Sequence, residues 1–285
     1  VQFIIKTVNQ VRKLTIIAPN IINKPSSVTP DISNLSYEIT RDPILVRESQ
    51  KLRYRVFCEE MGANPDNPDG VDEDEFDQYC DHLLVFENVG EARKVIGTYR
   101  ALPYPRIKNK SRFVTESEYD VSRVLSALGE NIMEVGRSCV DPSYRSGSVI
   151  QLLWRAIADY CEMNQIDALF GCASFHGADA NDHRESISYL NHYHLAPEEM
   201  RPMALPELAV DMEMLPKDSI PAKRAFVRLP PLIKGYIRLG GVFGDKAVID
   251  KVCNTTDVCV VVTRQNLTER YSAKFRLNAN DENFI

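Results

Sequence analysis

A chain of 285 residues, 44% hydrophobic and 26% charged, can bury a substantial core and has the composition of an ordinary globular protein. A formal net charge of −6 argues against a general nucleic-acid binder, which needs a positive footprint. No apolar run approaches the roughly 20 residues that cross a bilayer, and seven irregularly spaced cysteines with no secretory leader point to a reducing, cytoplasmic setting.

Residues 1–34 lack a clear period and read as an arm. A strand is predicted at Leu35–Thr40, then a helix from about 43 to 61, opened by Asp42 as N-cap with Pro43 behind it and closed by Gly62. An acidic loop with Pro65 and Pro68 fills 63–80. Strands follow near 82–88 and 94–101, a helix near 120–128 and a strand over Asn131–Val140. After the loop Asp141–Gly147, the apolar spacing of Val149, Leu153, Ile157 and Tyr160 predicts a strong helix. A strand at Ala168–Ala173 and a helix near 182–193 complete a core of 35–200. Prolines punctuate 201–276, which reads as a C-terminal extension containing a buried strand at Asp257–Val262, and 277–285 reads as a tail.

Nine cations, Arg53, Arg55, Arg93, Lys94, Arg100, Arg106, Lys108, Lys110 and Arg112, fall in one 60-residue stretch. They could form a basic face for an acidic partner, and a solvated face with no partner fits them equally well.

The most informative unit is the strand, turn and helix from Glu134 to Ile157. Unpaired N–H groups at a helix start favour a phosphate, and Gly147 lets it approach the backbone. An ordinary strand–loop–helix connection is the competing account. Gly136 inside a strand suggests a bulge. One extra residue would bring Glu134 and Arg137, three apart and otherwise on opposite faces, to the same side.

Several segments together resemble the ornithine-lipid acyltransferase family of the GNAT superfamily. They are Arg53-Tyr54-Arg55-Val56-Phe57, Phe76-Asp77 with Cys80-Asp81-His82, Gly97-Thr98-Tyr99-Arg100, Glu134-Val135-Gly136-Arg137-Ser138, Leu229-Pro230-Pro231-Leu232-Ile233-Lys234-Gly235-Tyr236 and Asn254-Thr255-Thr256-Asp257-Val258. The resemblance covers about 35–275, with a fainter one to acyl-homoserine-lactone synthases over the first half. It implies an α/β, GNAT-like acyltransferase fold: a central mixed twisted sheet flanked by helices, with a C-terminal extension. It implies transfer of a 3-hydroxyacyl chain from acyl carrier protein, as donor substrate, to the α-amine of ornithine. No separate cofactor is called for, and peripheral contact with the inner membrane through the apolar stretch Pro230–Gly241 is weighed against a core helix there.

By the same resemblance Glu134 accepts the amine's proton or positions it, against the alternative of a strand glutamate paired with Arg137. Arg137 and Arg100 line the donor or acceptor pocket, where either could hold a carboxylate. Arg53 and Phe57 lie along the acyl-pantetheine arm. Asp74 and Asp77 order the site or bind the cationic end of ornithine. Arg145, Ser146, Gly147 and Ser148 hold the donor phosphate. Five histidines show no zinc spacing with the cysteines, so no metal is expected, and Cys139 reads as strand packing rather than a nucleophile. There is no Walker loop, dinucleotide fingerprint or Gly-x-Ser-x-Gly elbow. The alternatives are a different acceptor such as glycine or lysine, a small-acyl CoA-dependent enzyme, and, in another class, a membrane-active haemolysin-like protein.

Overall fold

The computed structural model describes residues 32–63, 69–145 and 147–266. The tail, Ser146 and all of the arm before residue 32 lie outside the described residues. In chain order the elements are β1 Leu35–Thr40, α1 Pro43–Tyr54, β2 Asp81–Val89, β3 Ala92–Pro103, α2 Tyr104–Ile107, β4 Tyr119–Asp120, α3 Ser122–Leu128, β5 Ile132–Val140 and α4 Ser148–Met163. They continue with β6 Ala168–His176, α5 Arg184–His194, β7 Met203–Ala204, β8 Ala209–Asp211, α6 Ala222–Arg228, α7 Pro231–Arg238, β9 Val242–Phe243, β10 Lys246–Asp250 and β11 Thr255–Thr263.

Period-2 alternation assigns the strand residues to two faces of one mixed sheet, ordered β1-β2-β3-β5-β6-β11-β10-β8 with β9 also on β11. Leu83, Val85, Leu169, Val258 and Val260 pack with Leu153 and Ile157 of α4 and Ile233 and Tyr236 of α7. Leu84 and Phe86 turn the other way, onto Leu52 of α1, while Phe170 and Val261 meet Phe113 and Val124. The segment after residue 200 thus supplies strands to the same sheet as the core. Pro230–Gly241 contains α7, which buries Ile233, Tyr236 and Ile237 against that sheet. Among the described residues no helix is long and apolar enough to cross a membrane.

Asp42 caps α1 by accepting from the Ile44 and Leu45 N–H groups. The helix predicted to run to 61 changes character at Arg55: residues 55–60 form a π-helical turn that widens the helix toward the site.

Two irregularities open a cleft at the middle of the sheet. The one parallel strand pair among the described residues, β5 with β6, is hydrogen-bonded from Ile132 and Ala168 to Glu134 and Phe170, although the strands run on to Val140 and His176. Their separation begins at Gly171, where an added Cβ would lie 2.1 Å from the Val135 carbonyl oxygen. Gly171→Ala should therefore destabilise the fold by about 1–3 kcal/mol, read as a lowered melting temperature, because a backbone atom cannot swing aside as a side chain would. The second irregularity is a bulge. Arg100 opposes Gly136 and Thr98 opposes Cys139, so Arg137 and Ser138 together face Tyr99 alone. The bulge suggested by Gly136 is present one residue later, with Arg137 carrying the positive φ of 50°.

Candidate active site

The separated strands open onto a cavity of about 770 Å³. The π-turn and its cap (Phe57, Met61) line it, as do β5 from Glu134 to Val140, the start of α4 (Gly147, Ile150), the C-terminal part of β6 and the start of β11. Glu134 and Arg137 both line it, which a regular strand would not permit.

One wall is held by a buried charge network. Arg53, fully buried, meets the Asp77 carboxylate with two parallel bonds of 2.9 and 3.0 Å and Asp72 Oδ2 at 2.7 Å. Arg100 reaches Asp74 Oδ1 at 2.6 Å and Asp77 Oδ1 at 3.1 Å, and Gln50 adds a bond of 3.0 Å to Asp77. Burial alone would raise the pKa of Asp77. Its hydrogen bonds to Arg53 and the charges of Arg53 and Arg100 outweigh that and hold it well below the ordinary carboxylate range. Arg137 approaches the same acids, with Nε 3.2 Å from Asp72 Oδ2, yet this buried N–H meets no partner in hydrogen-bonding geometry.

This network corrects several expectations. Arg53 is enclosed by acids and does not line the cavity, so it cannot run along a pantetheine arm; it ties α1 to the acidic loop. Asp74 and Asp77 are likewise committed to arginines and lie off the cavity wall, so neither has free charge for a cationic substrate. Phe57 and Arg100 do line the cavity. The supposed basic face also loses Arg53 and Arg100 to the interior. Arg93, Lys94, Arg106 and Lys108 pair with Glu38, Asp141, Asp81 and Glu130.

Glu134 is 5% exposed and does not pair with Arg137. Its Oε2 accepts from the Val114 N–H at 2.7 Å, and its Oε1 accepts from the Thr115 N–H at 2.8 Å and hydroxyl at 2.7 Å. Three of roughly four acceptor sites are filled, leaving Oε2 one lone pair. Burial raises the pKa of Glu134 despite these donors and the charge of Arg100.

At the donor end Gly147 caps α4 in the left-handed region (φ 102°), with no side chain over the first N–H groups. The helix start that could receive a phosphate is in place, with Ser148 as its first residue. Arg145 lines the cavity nearby, paired with Glu60 of the π-turn, and its Nε donates to the Val140 carbonyl at 3.1 Å. Cys139 is buried, and burial pushes its thiol up to about 12, in keeping with strand packing.

The cavity wall also carries acids that sequence reasoning missed. Glu118, Asp250 and Asp257 each place a carboxylate oxygen within 4.8 Å of the others, and all three line the cavity. Burial and then the charge of Asp257 raise Glu118 to about 7; Asp257 is raised to about 6, mainly by burial. Only Asp257 left a trace in the sequence, as an acid inside a β-branched run. Glu118, just before β4, and Asp250, the last residue of β10, carry no local signal.

A mixed sheet with one parallel strand pair among the described residues, split over a bulged strand with a helix start beside the split, is in keeping with the GNAT-like acyltransferase fold that the resemblance implied. Residues 52–155 match the Acetyltransferase (GNAT) domain family. The chain is 40% identical over 256 residues to the L-ornithine N(alpha)-acyltransferase of Brucella abortus (strain 2308), covering 87% of this chain and 91% of that one. It is also 40% identical over 245 residues to that of Rhodobacter capsulatus, covering 83% and 93%. The chain belongs to the L-ornithine N(alpha)-acyltransferase family. Among solved structures, a CoA-dependent acyl-homoserine lactone synthase with SAM and isopentyl-CoA aligns at 16% identity and a TM-score of 0.44, over 81% of this chain and 82% of that one. An N-acyl amino acid synthase from uncultured soil microbes aligns at 10% and 0.45, over 83% and 95%.

Proposed function

We propose that the protein transfers a 3-hydroxy fatty acyl group from acyl carrier protein to the α-amine of L-ornithine, giving lyso-ornithine lipid. The observation that carries this reading is a single cavity whose wall includes the N-terminus of α4, apolar side chains and carboxylates. The names of the relatives supply the acceptor. The donor's phosphate sits at Gly147 and Ser148, and its acyl chain lies against Phe57, Met61, Ile150 and Leu232. The neutral amine attacks the thioester carbon, a C–N bond forms as the C–S bond breaks, and the departing thiolate takes up the proton that the amine gives up to Glu134. The amine's proton passes to Glu134 Oε2, directly or through one water. Arg137, whose Nε makes no hydrogen bond although it lies 3.2 Å from Asp72 Oδ2, holds the acceptor's carboxylate or the developing oxyanion.

Thiol release from 3-hydroxypalmitoyl acyl carrier protein, with each amino acid offered in turn, tests this. Release with ornithine above all others is the expected result. Release with a different amino acid would keep the chemistry and change the acceptor. No release with any, alongside turnover of acetyl-CoA with some amine, would overturn the lipid reading.

A further inference from the structure

The network behind the cleft pairs its acids with arginines; the second cluster of acids on the cavity wall does not. Glu118 precedes β4, Asp250 ends β10 and Asp257 lies within β11, so three separate segments converge there. Antiparallel pairing of β10 with β11, and of β11 with β6, brings the last two acids to the edge of the cleft. None of the three has an ion pair with lysine or arginine within 4 Å among the described residues, and the nearest positive influence is the charge of Arg137 acting on Asp257. Asp257 is 4% exposed. Its Oδ2 accepts from Thr255 Oγ1 at 3.2 Å, while Oδ1 has no hydrogen-bond partner. Ser174, opposite it on β6, lowers its pKa but makes no bond to Oδ1. An unmet, almost fully buried carboxylate oxygen on a cavity wall is costly unless a donor meets it there, and a cationic donor offsets that cost most.

We infer that Glu118, Asp250 and Asp257 form the subsite for the acceptor's side-chain ammonium, and so select a cationic amino acid. The inference rests on the acyl-transfer reading above. An ammonium offers three donors and no acceptor, and three carboxylates are its complement. Bonds of about 2.8 Å at tetrahedral angles place the acceptors roughly 4.6 Å apart, in keeping with the 4.8 Å limit on these oxygens. The subsite is also placed correctly along the cavity. From Glu134 Oε1 a line of polar atoms runs to Thr115 Oγ1 at 2.7 Å, on to Cys172 Sγ at 3.9 Å and to Glu118 Oε2 at 3.1 Å. An α-amine at Glu134 and a side-chain amine at the cluster are thus spanned by a short methylene chain along that wall.

The test compares L-ornithine with L-norvaline, which keeps the α-amine, carboxylate and carbon chain and lacks only the second amine. The wild type should favour ornithine in kcat/KM by about 10³-fold or more, since a site built for a charged partner rejects the analogue lacking it. In Asp257→Asn, Glu118→Gln and Asp250→Asn, made separately, that ratio should fall by about 100-fold, chiefly through KM for ornithine. Three single variants, each checked by thermal melting, keep the comparison open if one fails to fold. Folded variants that retain the wild-type ratio would overturn the inference. So would equal loss on both amino acids, which would assign the cluster to the reaction itself. Loss of wild-type activity in EDTA, restored by a divalent cation, would show a metal subsite and overturn it too. A wild type that acylates norvaline as well as ornithine would end the inference while leaving the acyltransferase standing, whereas no thiol release with any amino acid would end the underlying reading.

Discussion

Replacing Asp77 by alanine is expected to cost about 3–5 kcal/mol of stability, the largest effect of any single change considered, and read as a shift in the urea midpoint at pH 7. The carboxylate sits between two guanidiniums, one fully buried and the other 3% exposed, and removing it leaves both charges short of a partner away from water. Against a typical total of about 5–15 kcal/mol, that loss is enough to leave the variant partly unfolded at 37 °C. The sign of the pH dependence follows from the pKa shift. Asp77 is depressed in the folded state, so its contribution is fully present above its unfolded pKa, about 3.9, and is lost as pH falls through the folded value. The stability gap between wild type and Asp77→Asn should therefore be constant from pH 5 upward and narrow below about pH 4. A gap that widened on acidification would contradict the ion-pair account.

Glu134→Gln is expected to lower kcat by about 10²–10³-fold while the protein still folds. The carboxylate meets three donors with acceptors only. A glutamine amide can offer its single oxygen to the Thr115 pair or to the Val114 N–H, and its NH₂ then confronts a donor. The segment from Val114 to Ser117 would shift, and the Oε2 lone pair that takes the amine's proton would be gone. The pH profile separates the two consequences. Burial raises the pKa of Glu134, so the wild-type rate should fall on an acid limb set by a group above the ordinary carboxylate range. In Glu134→Gln that limb should vanish along with the rate. A variant that is slow but keeps the limb would make Glu134 an anchor for the loop and place the base elsewhere.

What could be read ahead of the structure was local. The cap at Asp42 and Pro43, the strand–turn–helix around Gly147 and the amphipathic period of α4 depend on neighbours a few residues apart, and the structure has them where they were expected. The bulge is a near case. Gly136 pointed to it, but the strain settled on Arg137, because which residue leaves the ladder depends on how β3 pairs with β5. The π-turn at Arg55–Glu60 had no signal, since the apolar spacing of a helix barely changes when one turn widens.

Charge was where reading along the chain failed. Asp74 and Asp77 stand in an acidic loop and looked available for a cation; Glu118, Asp250 and Asp257 stand in three separate segments, and of these only Asp257 stood out, as an acid in a β-branched run. Folding reverses that ranking. Arg53 from α1 and Arg100 from β3 neutralise the loop acids, whereas β-pairing gathers the other three around one cavity with no ion pair of their own among the described residues. By itself the sequence determined the types of the longer elements and the strand that carries Glu134 and Arg137, because propensity, capping and period act over a few bonds, and its motifs carried the resemblance to the family. Only the tertiary structure decided which carboxylates are paired and which face the cavity unpaired, because electrostatic energy follows distance and burial, and both arise when segments far apart in the chain pack together.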